Sequence, residues 1–124
     1  MILRTILKDV SKITDQKNAD LYFVYLPYYA RYKKDQIKYF QKNDIKNKVK
    51  ILIEDLNIKF IDIDKEVFQK ETNPLELFPF QIYGHYTSEG YRKIAFEIYK
   101  ASKWFFYKQI SKNQKKLGKT HQMI

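Results

Sequence analysis

Two short apolar runs, LYFVYL at residues 21–26 and IKFIDI at residues 58–63, set the strongest limit on how this chain can fold. Both are rich in the β-branched and aromatic residues that favour strands. The first is almost unbroken in apolar character, which is typical of a strand buried on both faces of a parallel sheet. The second is more mixed in polarity and indicates a strand nearer the edge of the sheet.

Helical patterns surround both runs. Apolar residues recur at the 3.6-residue spacing of a helix over residues 2–16 and over residues 35–57. The same spacing returns in a last helix that starts near Thr87 or Ser88, and either residue can cap it. The connection between the second strand and that helix, residues 64–87, has no clear periodicity. Its aromatic and aliphatic content favours a functional segment over a disordered one.

This alternation of helices and strands predicts an α/β fold with a parallel sheet covered by helices. Such a sheet normally has about five strands, so two strands predict the second half of a three-layer αβα domain of the flavodoxin-like kind. We expect residues 1–110 to form this partial domain and residues 111–124 to form a basic, flexible tail. The opening stretch, MILRTILKDV, enters a helix at once, which fits a start codon inside a longer gene.

The net charge of +10 is concentrated near one end of the chain, because residues 100–124 hold seven lysines and no acidic residue. Only three of the 24 basic residues are arginine, the residue best suited to phosphates and base edges, so specific nucleic-acid binding is not predicted. Trp104, Phe106 and Tyr107 fall off the core stripe of the last helix. They either pack on a part of the protein outside this chain or rest on an anionic membrane surface.

Cysteine is absent and the two histidines are far apart, so we predict neither a disulfide nor a metal site, and no cofactor. No apolar run approaches the roughly 18 residues that span a bilayer. The N-terminus lacks the apolar region and cleavage site of a signal peptide. The chain as written is therefore predicted to be cytoplasmic, and the native compartment stays open, because a signal could lie in a missing upstream part.

His85 is the candidate catalytic residue. It lies between the last strand and the last helix, and reactive groups collect on loops at the carboxyl ends of parallel strands. An imidazole, whose ordinary pKa is about 6.5, can accept a proton from a nucleophile on another loop. Alternatively, the ring hydrogen-bonds the loop or the helix start. Gly90, one turn further on, would let the helix approach neighbouring backbone closely.

The stretch GHYTSEGYRKIAFEI (84–98) resembles the C-terminal block of the SGNH (GDSL-type) hydrolases. The mid-chain strand and loop of many of these enzymes are similar to LYFVYLPYYARY. The last strand and histidine loop of an esterase-like subgroup are similar to FIDID followed by NPLELFPFQIYGHY. The resemblance covers residues 1–108. It implies a three-layer αβα fold and a serine nucleophile that hydrolyses acyl or acetyl esters of carbohydrates or lipids. It also implies that His85 is the general base.

This sequence departs from the family pattern in its other catalytic groups. It contains no Gly-Asp-Ser block, and Ile82 stands where the family places the carboxylate that orients the histidine. Asp62 and Asp64 are the candidate acid partners, because they end a strand whose side chains could reach the loop. The chain is therefore predicted to be inactive alone. It is either a truncated or split reading frame with a missing N-terminal half, a degenerate paralogue, or a fragment completed by another chain.

Tyr28, Tyr29 and Tyr86 are the candidate substrate-lining residues. The aromatic cluster of Tyr25, Tyr28, Tyr29 and Tyr32 either stacks on a sugar or an acyl chain at the mouth of a site or covers the sheet edge left by missing strands. The alternative function is a non-enzymatic α/β module that engages a polyanion or a membrane surface through its lysine-rich C-terminus. That alternative predicts salt-sensitive binding that disappears when residues 111–124 are deleted.

Overall fold

The computed structural model of the protein describes residues 1–82 and 84–122, with residues 120–122 described by their backbone alone. Its helices and strands are α1 (Ile2–Gln16), β1 (Tyr22–Tyr25), α2 (Ile37–Asn43), α3 (Ile45–Asp55), β2 (Lys59–Asp62), α4 (Ile63–Glu66) and α5 (Ser88–Gln122). Short 3₁₀ helices form at Tyr29–Tyr32, Phe68–Lys70, Pro74–Leu77 and Pro79–Gln81.

The two strands pair in parallel, with Phe23 opposite Phe60. This confirms the predicted α/β organisation with parallel strands and a C-terminal helix. Tyr22 and Val24 pack against the core, whereas the rings of Phe23 and Phe60 stack on each other at 5.8 Å. The prediction that the first strand is buried on both faces is wrong, because all four residues of β1 are only half-buried. A two-stranded sheet is too narrow for helices to seal both of its faces.

The connection between β2 and α5 is folded and supplies much of the hydrophobic core. Phe68, Leu77 and Phe78 from this segment are buried together with Ile61 of β2 and Ile94 of α5. The rings of Phe68 and Phe78 lie 5.6 Å apart. This segment is therefore part of the core, which explains its aromatic content without a helical or strand-like period.

The helical pattern between the strands forms two helices instead of the predicted one. Asp44 adopts a left-handed conformation with φ 38°, which ends α2, and its side chain accepts a hydrogen bond from the backbone N–H of Asn47 at 3.3 Å. Aspartate tolerates this conformation better than most residues and is a favoured N-cap. The same residue thus ends one helix and starts the next.

The last helix is longer than expected. It continues as far as Gln122, whereas residues 111–124 were expected to be an unstructured tail. Lysine and glutamine are good helix formers, so these polar residues sustain the helix without tertiary contacts. None of the helices in the described ranges is long and apolar enough to cross a bilayer.

Gly90 makes the close approach that the sequence predicted. A Cβ atom at this buried position would lie 3.0 Å from the carbonyl oxygen of Leu77 and 3.1 Å from the Cβ of Tyr86. We expect Gly90→Ala to lower the free energy of unfolding by about 1 kcal/mol, because overpacking outweighs the gain in helix propensity. Gly118→Ala is the matched control, since no atom lies within 4 Å of its added Cβ. Gly118→Ala is expected to raise helix content in circular dichroism, and equal effects at both positions would contradict the packing argument.

Candidate active site

The histidine loop is fixed by backbone hydrogen bonds and by a threonine cap. The N–H of Thr87 donates to the carbonyl oxygen of Leu77 at 2.8 Å, and the Thr87 hydroxyl accepts from the N–H of Gly90 at 3.0 Å. Thr87 therefore caps α5. In the described part of the chain, the ring of His85 has no hydrogen-bond partner in the loop or at the helix start, so the structural role considered for this histidine is filled by Thr87.

His85 is exposed and lies in a cleft next to the carboxyl end of β1. The cleft has a volume of about 340 Å³ and combines the residues that follow β1 with those of the histidine loop. Its lining consists of Leu26, Pro27, Tyr28, Tyr29, Phe78, Gly84, His85, Tyr86 and Tyr91. The structure thus brings together the candidate base and all three tyrosines predicted around it.

Tyr86 joins the two sides of this cleft. Its hydroxyl donates to the backbone carbonyl of Pro27 at 2.6 Å, and its ring packs on Phe78 at 5.3 Å. Burial, with smaller contributions from Tyr91 and Tyr25, raises the pKa of Tyr86 to about 12. The hydroxyl is therefore a neutral donor at physiological pH and holds the histidine loop against the end of β1.

Removing the hydroxyl of Tyr86 tests this link. We expect Tyr86→Phe to lower the free energy of unfolding by about 1 kcal/mol, because the partly buried carbonyl of Pro27 loses its donor. We also expect faster hydrogen exchange at the amides of residues 84–87. Tyr39→Phe is the matched control, since Tyr39 is exposed and its loss should change neither quantity. Unchanged exchange in Tyr86→Phe would show that the loop is held by other contacts.

Asp64 lies at the carboxyl end of β2 and is completely buried. One carboxylate oxygen accepts hydrogen bonds from Arg31 at 3.0 Å, Lys46 at 2.8 Å and Gln69 at 2.8 Å. The other accepts from the hydroxyl of Tyr32 at 2.5 Å. The side chains of Arg31 and Lys46 are themselves only 17% and 14% exposed, so this is a buried ion-pair network.

Burial by itself would raise the pKa of Asp64. The hydrogen bonds from Lys46, Tyr32 and Gln69, with the charge of Arg31, more than offset burial, so the pKa of Asp64 lies below its usual range. Burial and the hydrogen bond to Asp64 raise the pKa of Tyr32 well above its usual range. The carboxylate is therefore ionised, and Tyr32 is its neutral donor.

The carboxylate of Asp62 also has partners other than His85. One of its carboxylate oxygens accepts from the backbone N–H of Lys65 at 3.0 Å and caps α4. The other pairs with the ammonium group of Lys46 at 3.1 Å. In the described residues, neither Asp62 nor Asp64 hydrogen-bonds His85, and neither lines its cleft. The structure therefore does not join the candidate base to its two candidate acid partners.

Sequence reasoning missed the partners of Asp64, which are Arg31, Tyr32, Lys46 and Gln69. A signal was available in Arg31, which is one of only three arginines in a lysine-rich chain. Arginine suits buried carboxylates, because its planar donors match their geometry and its guanidinium is weakly hydrated. The ranges described contain no group of three or more histidine, aspartate or glutamate side chains that could hold a metal ion.

Comparison of the chain with models of protein families, with curated proteins and with solved structures gave no match. The function of the chain is therefore inferred from the geometry of the described residues and from the sequence resemblance.

Proposed function

We propose that this chain supplies the histidine base of an SGNH-type ester-hydrolysing site, and that the serine nucleophile comes from a segment outside these 124 residues. The observation that carries the proposal is the position of His85: an exposed imidazole, without a structural partner among the described residues, in an aromatic cleft beside the carboxyl end of a parallel strand. A histidine that only caps a helix would be bound to its start, where Thr87 is found instead.

The incomplete sheet supports the same proposal. Within the described ranges β1 pairs only with β2, so its other edge is open to a further parallel strand. Apolar side chains are also exposed on α1, including Ile6 and Ile13 at 53% and 52%. A surface of this kind marks an interaction site or a contact with another part of the same fold. We propose that the added strands complete a three-layer, flavodoxin-like αβα domain.

Exposed groups close to His85 point to the same missing segment. Phe80 is 92% exposed and has a positive φ of 54°, a conformation that is unusual for a bulky residue and concentrates at functional sites. Ile82, two residues further on, is 57% exposed. A segment that brings the nucleophile towards the cleft would cover both side chains.

In the completed site, the nucleophile would attack the ester carbonyl while His85 accepts the hydroxyl proton. The imidazolium would then return that proton to the leaving alcohol, and a water molecule would repeat the cycle on the acyl-enzyme. Tyr28 and Tyr29 would present their rings to an acyl chain or a sugar at the mouth of the cleft. The proposal places the group that orients His85 on the completing segment, because Asp62 and Asp64 are held by other residues.

The four serines of this chain do not provide the nucleophile. They are Ser11, Ser88, Ser102 and Ser111, and none of them lines the described cleft. A base without a nucleophile gives no acyl transfer, so the chain alone is expected to hydrolyse p-nitrophenyl acetate no faster than the same concentration of free imidazole.

The proposal is tested by tagging the chain in cells that make it naturally and isolating the tagged species with whatever polypeptide accompanies or continues it. The isolated material is expected to hydrolyse p-nitrophenyl acetate in a reaction that depends on His85. Hydrolysis that is the same in the wild type and in His85→Ala would refute the proposal, as would its absence from intact material.

A further inference from the structure

The last part of α5, residues 104–119, is separate from the core except at Phe105. Phe105 is the last residue of the helix that packs against the core, and every later side chain up to residue 119 is exposed. A helix that gains nothing from tertiary packing on the body of the protein would normally be polar on all sides. This one is not, because it has an apolar face, interrupted by Asn113, and a basic face on the other side of the helix.

The apolar face is formed by Phe106, Ile110 and Leu117, which are 54%, 38% and 62% exposed. At about 100° per residue, these three side chains project within about 40° of one another around the helix axis. Tyr107, 58% exposed, borders this face at about 80° from its centre, whereas Trp104, 56% exposed, projects about 140° from the centre, next to the basic face described below. Tryptophan and tyrosine have an apolar body with a polar tip, which suits the boundary between lipid and water.

The basic face lies on the opposite side of the same helix. It is formed by Lys108, Lys112, Lys115 and Lys119, which project roughly 180° from the apolar face at about 100° per residue. Residues 100–124 contain no acidic side chain that could neutralise them. The ammonium group of Lys108 lies 4.8 Å from the ring centroid of Trp104, so this ring packs beside the basic face.

We propose that residues 104–119 form an amphipathic helix that lies on the surface of an anionic lipid bilayer. The apolar face, Phe106, Ile110 and Leu117, would enter the boundary between head groups and acyl chains. The basic face would be attracted to anionic head groups, in the arrangement typical of interfacial helices. This inference does not depend on ester hydrolysis.

Charge complementarity favours a bilayer over two other occupants of this surface. A second copy of the chain would cover the apolar face only. It would leave the basic face without an anionic partner, because residues 100–124 contain no acidic residue. A nucleic acid would engage the lysines and leave the apolar face in water. An anionic bilayer would bury the apolar face and would also attract the lysines of the basic face.

The test compares sedimentation of the full chain with two kinds of vesicle, phosphatidylcholine alone and phosphatidylcholine mixed with phosphatidylglycerol. We expect binding to the mixed vesicles that weakens as salt is raised. Replacing Phe106, Ile110 and Leu117 together with glutamine is expected to weaken binding about a hundredfold, because the inserted apolar area is lost. Replacing Lys108, Lys112, Lys115 and Lys119 with glutamine is expected to weaken binding at least about tenfold and to remove the preference for anionic lipid.

Ile45→Gln combined with Ile51→Gln is the matched control. These isoleucines are 51% and 60% exposed on α3, so their replacement removes similar apolar area elsewhere on the molecule, and vesicle binding should be unchanged. Full binding by the variant at Phe106, Ile110 and Leu117 would overturn the proposal, and loss in the lysine variant alone would assign the surface to a soluble polyanion. A dimer in sedimentation velocity that this apolar variant loses, without vesicle binding by the wild type, would assign the surface to self-association and also overturn the proposal.

Discussion

Replacing Asp64 with alanine is expected to lower the free energy of unfolding by about 3–5 kcal/mol, since removing one member of a buried ion pair leaves the opposite charge uncompensated. Arg31 would remain largely buried without the carboxylate of Asp64, whereas Lys46 would keep only its pair with Asp62. Tyr32 and Gln69 would lose their hydrogen-bond acceptor as well. Such a loss is a large fraction of the roughly 5–15 kcal/mol that stabilises a typical domain.

The measurement is urea unfolding followed by circular dichroism. Asp55→Ala is the matched control, because Asp55 also pairs with an arginine, Arg4, at 2.9 Å, but its side chain is 59% exposed. An exposed pair contributes less than about 1 kcal/mol. Asp64→Asn keeps an acceptor for Tyr32 while removing the charge, and it should fall between the two variants. Similar losses in Asp64→Ala and Asp55→Ala would contradict the buried network.

The contribution of Asp64 also depends on pH. Because the pKa of Asp64 is lowered in the folded state from its ordinary value of 3.8, the folded protein binds fewer protons at this site than the unfolded chain does. The stabilisation is therefore fully present above the unfolded pKa and is lost as the pH falls through the folded pKa. The difference in stability between the wild type and Asp64→Ala is expected to be constant near neutrality and to shrink below about pH 4.

His85→Ala is expected to lower the rate of ester hydrolysis by the completed site at least about 10²-fold, the lower bound for loss of a general base. In sites where base and nucleophile act as one unit, losing the base can cost on the order of 10⁶-fold. The effect should fall on kcat, because the imidazole is needed in the chemical step and not for holding the ester. The assay is p-nitrophenyl acetate hydrolysis by the tagged species isolated from its source cells.

His121→Ala is the control for this prediction, since His121 is the other histidine of the chain and should leave the rate unchanged. His85→Gln provides a second variant that retains a polar side chain on the loop but cannot exchange a proton near neutral pH. It should be as slow as His85→Ala. A rate restored by glutamine would mean that position 85 contributes hydrogen bonding to the loop and not proton transfer.

The positions of helices and strands could be predicted where the local spacing of apolar residues determines them. The periodicity of residues 2–16 matches α1, and the two apolar runs contain β1 and β2. The close packing at Gly90 was also predictable, because a glycine in the first turn of a helix has few other uses there. These features depend on residues close together in the chain.

Features that depend on distant residues were not predictable. The break at Asp44 looks, in the sequence, like one more polar position on a continuous helix. Residues 64–87 have no period because their side chains fill the space beside a narrow sheet instead of repeating along one element. The role of Asp64 is set by Arg31 and Lys46, which come from two other segments. Its position at the end of a strand indicated an acid partner for His85, whereas in the structure Asp64 is buried and pairs with cationic side chains.

Fluorophosphonate labelling of the tagged species from its source cells decides whether His85 serves an activated serine. The wild type is expected to carry a labelled serine, on an accompanying polypeptide or on a continuation of this chain. Labelling should slow at least about 10²-fold in His85→Ala and stay unchanged in His121→Ala. Absence of any labelled serine in the wild type, or equal labelling in the wild type and His85→Ala, would contradict a catalytic role for this histidine.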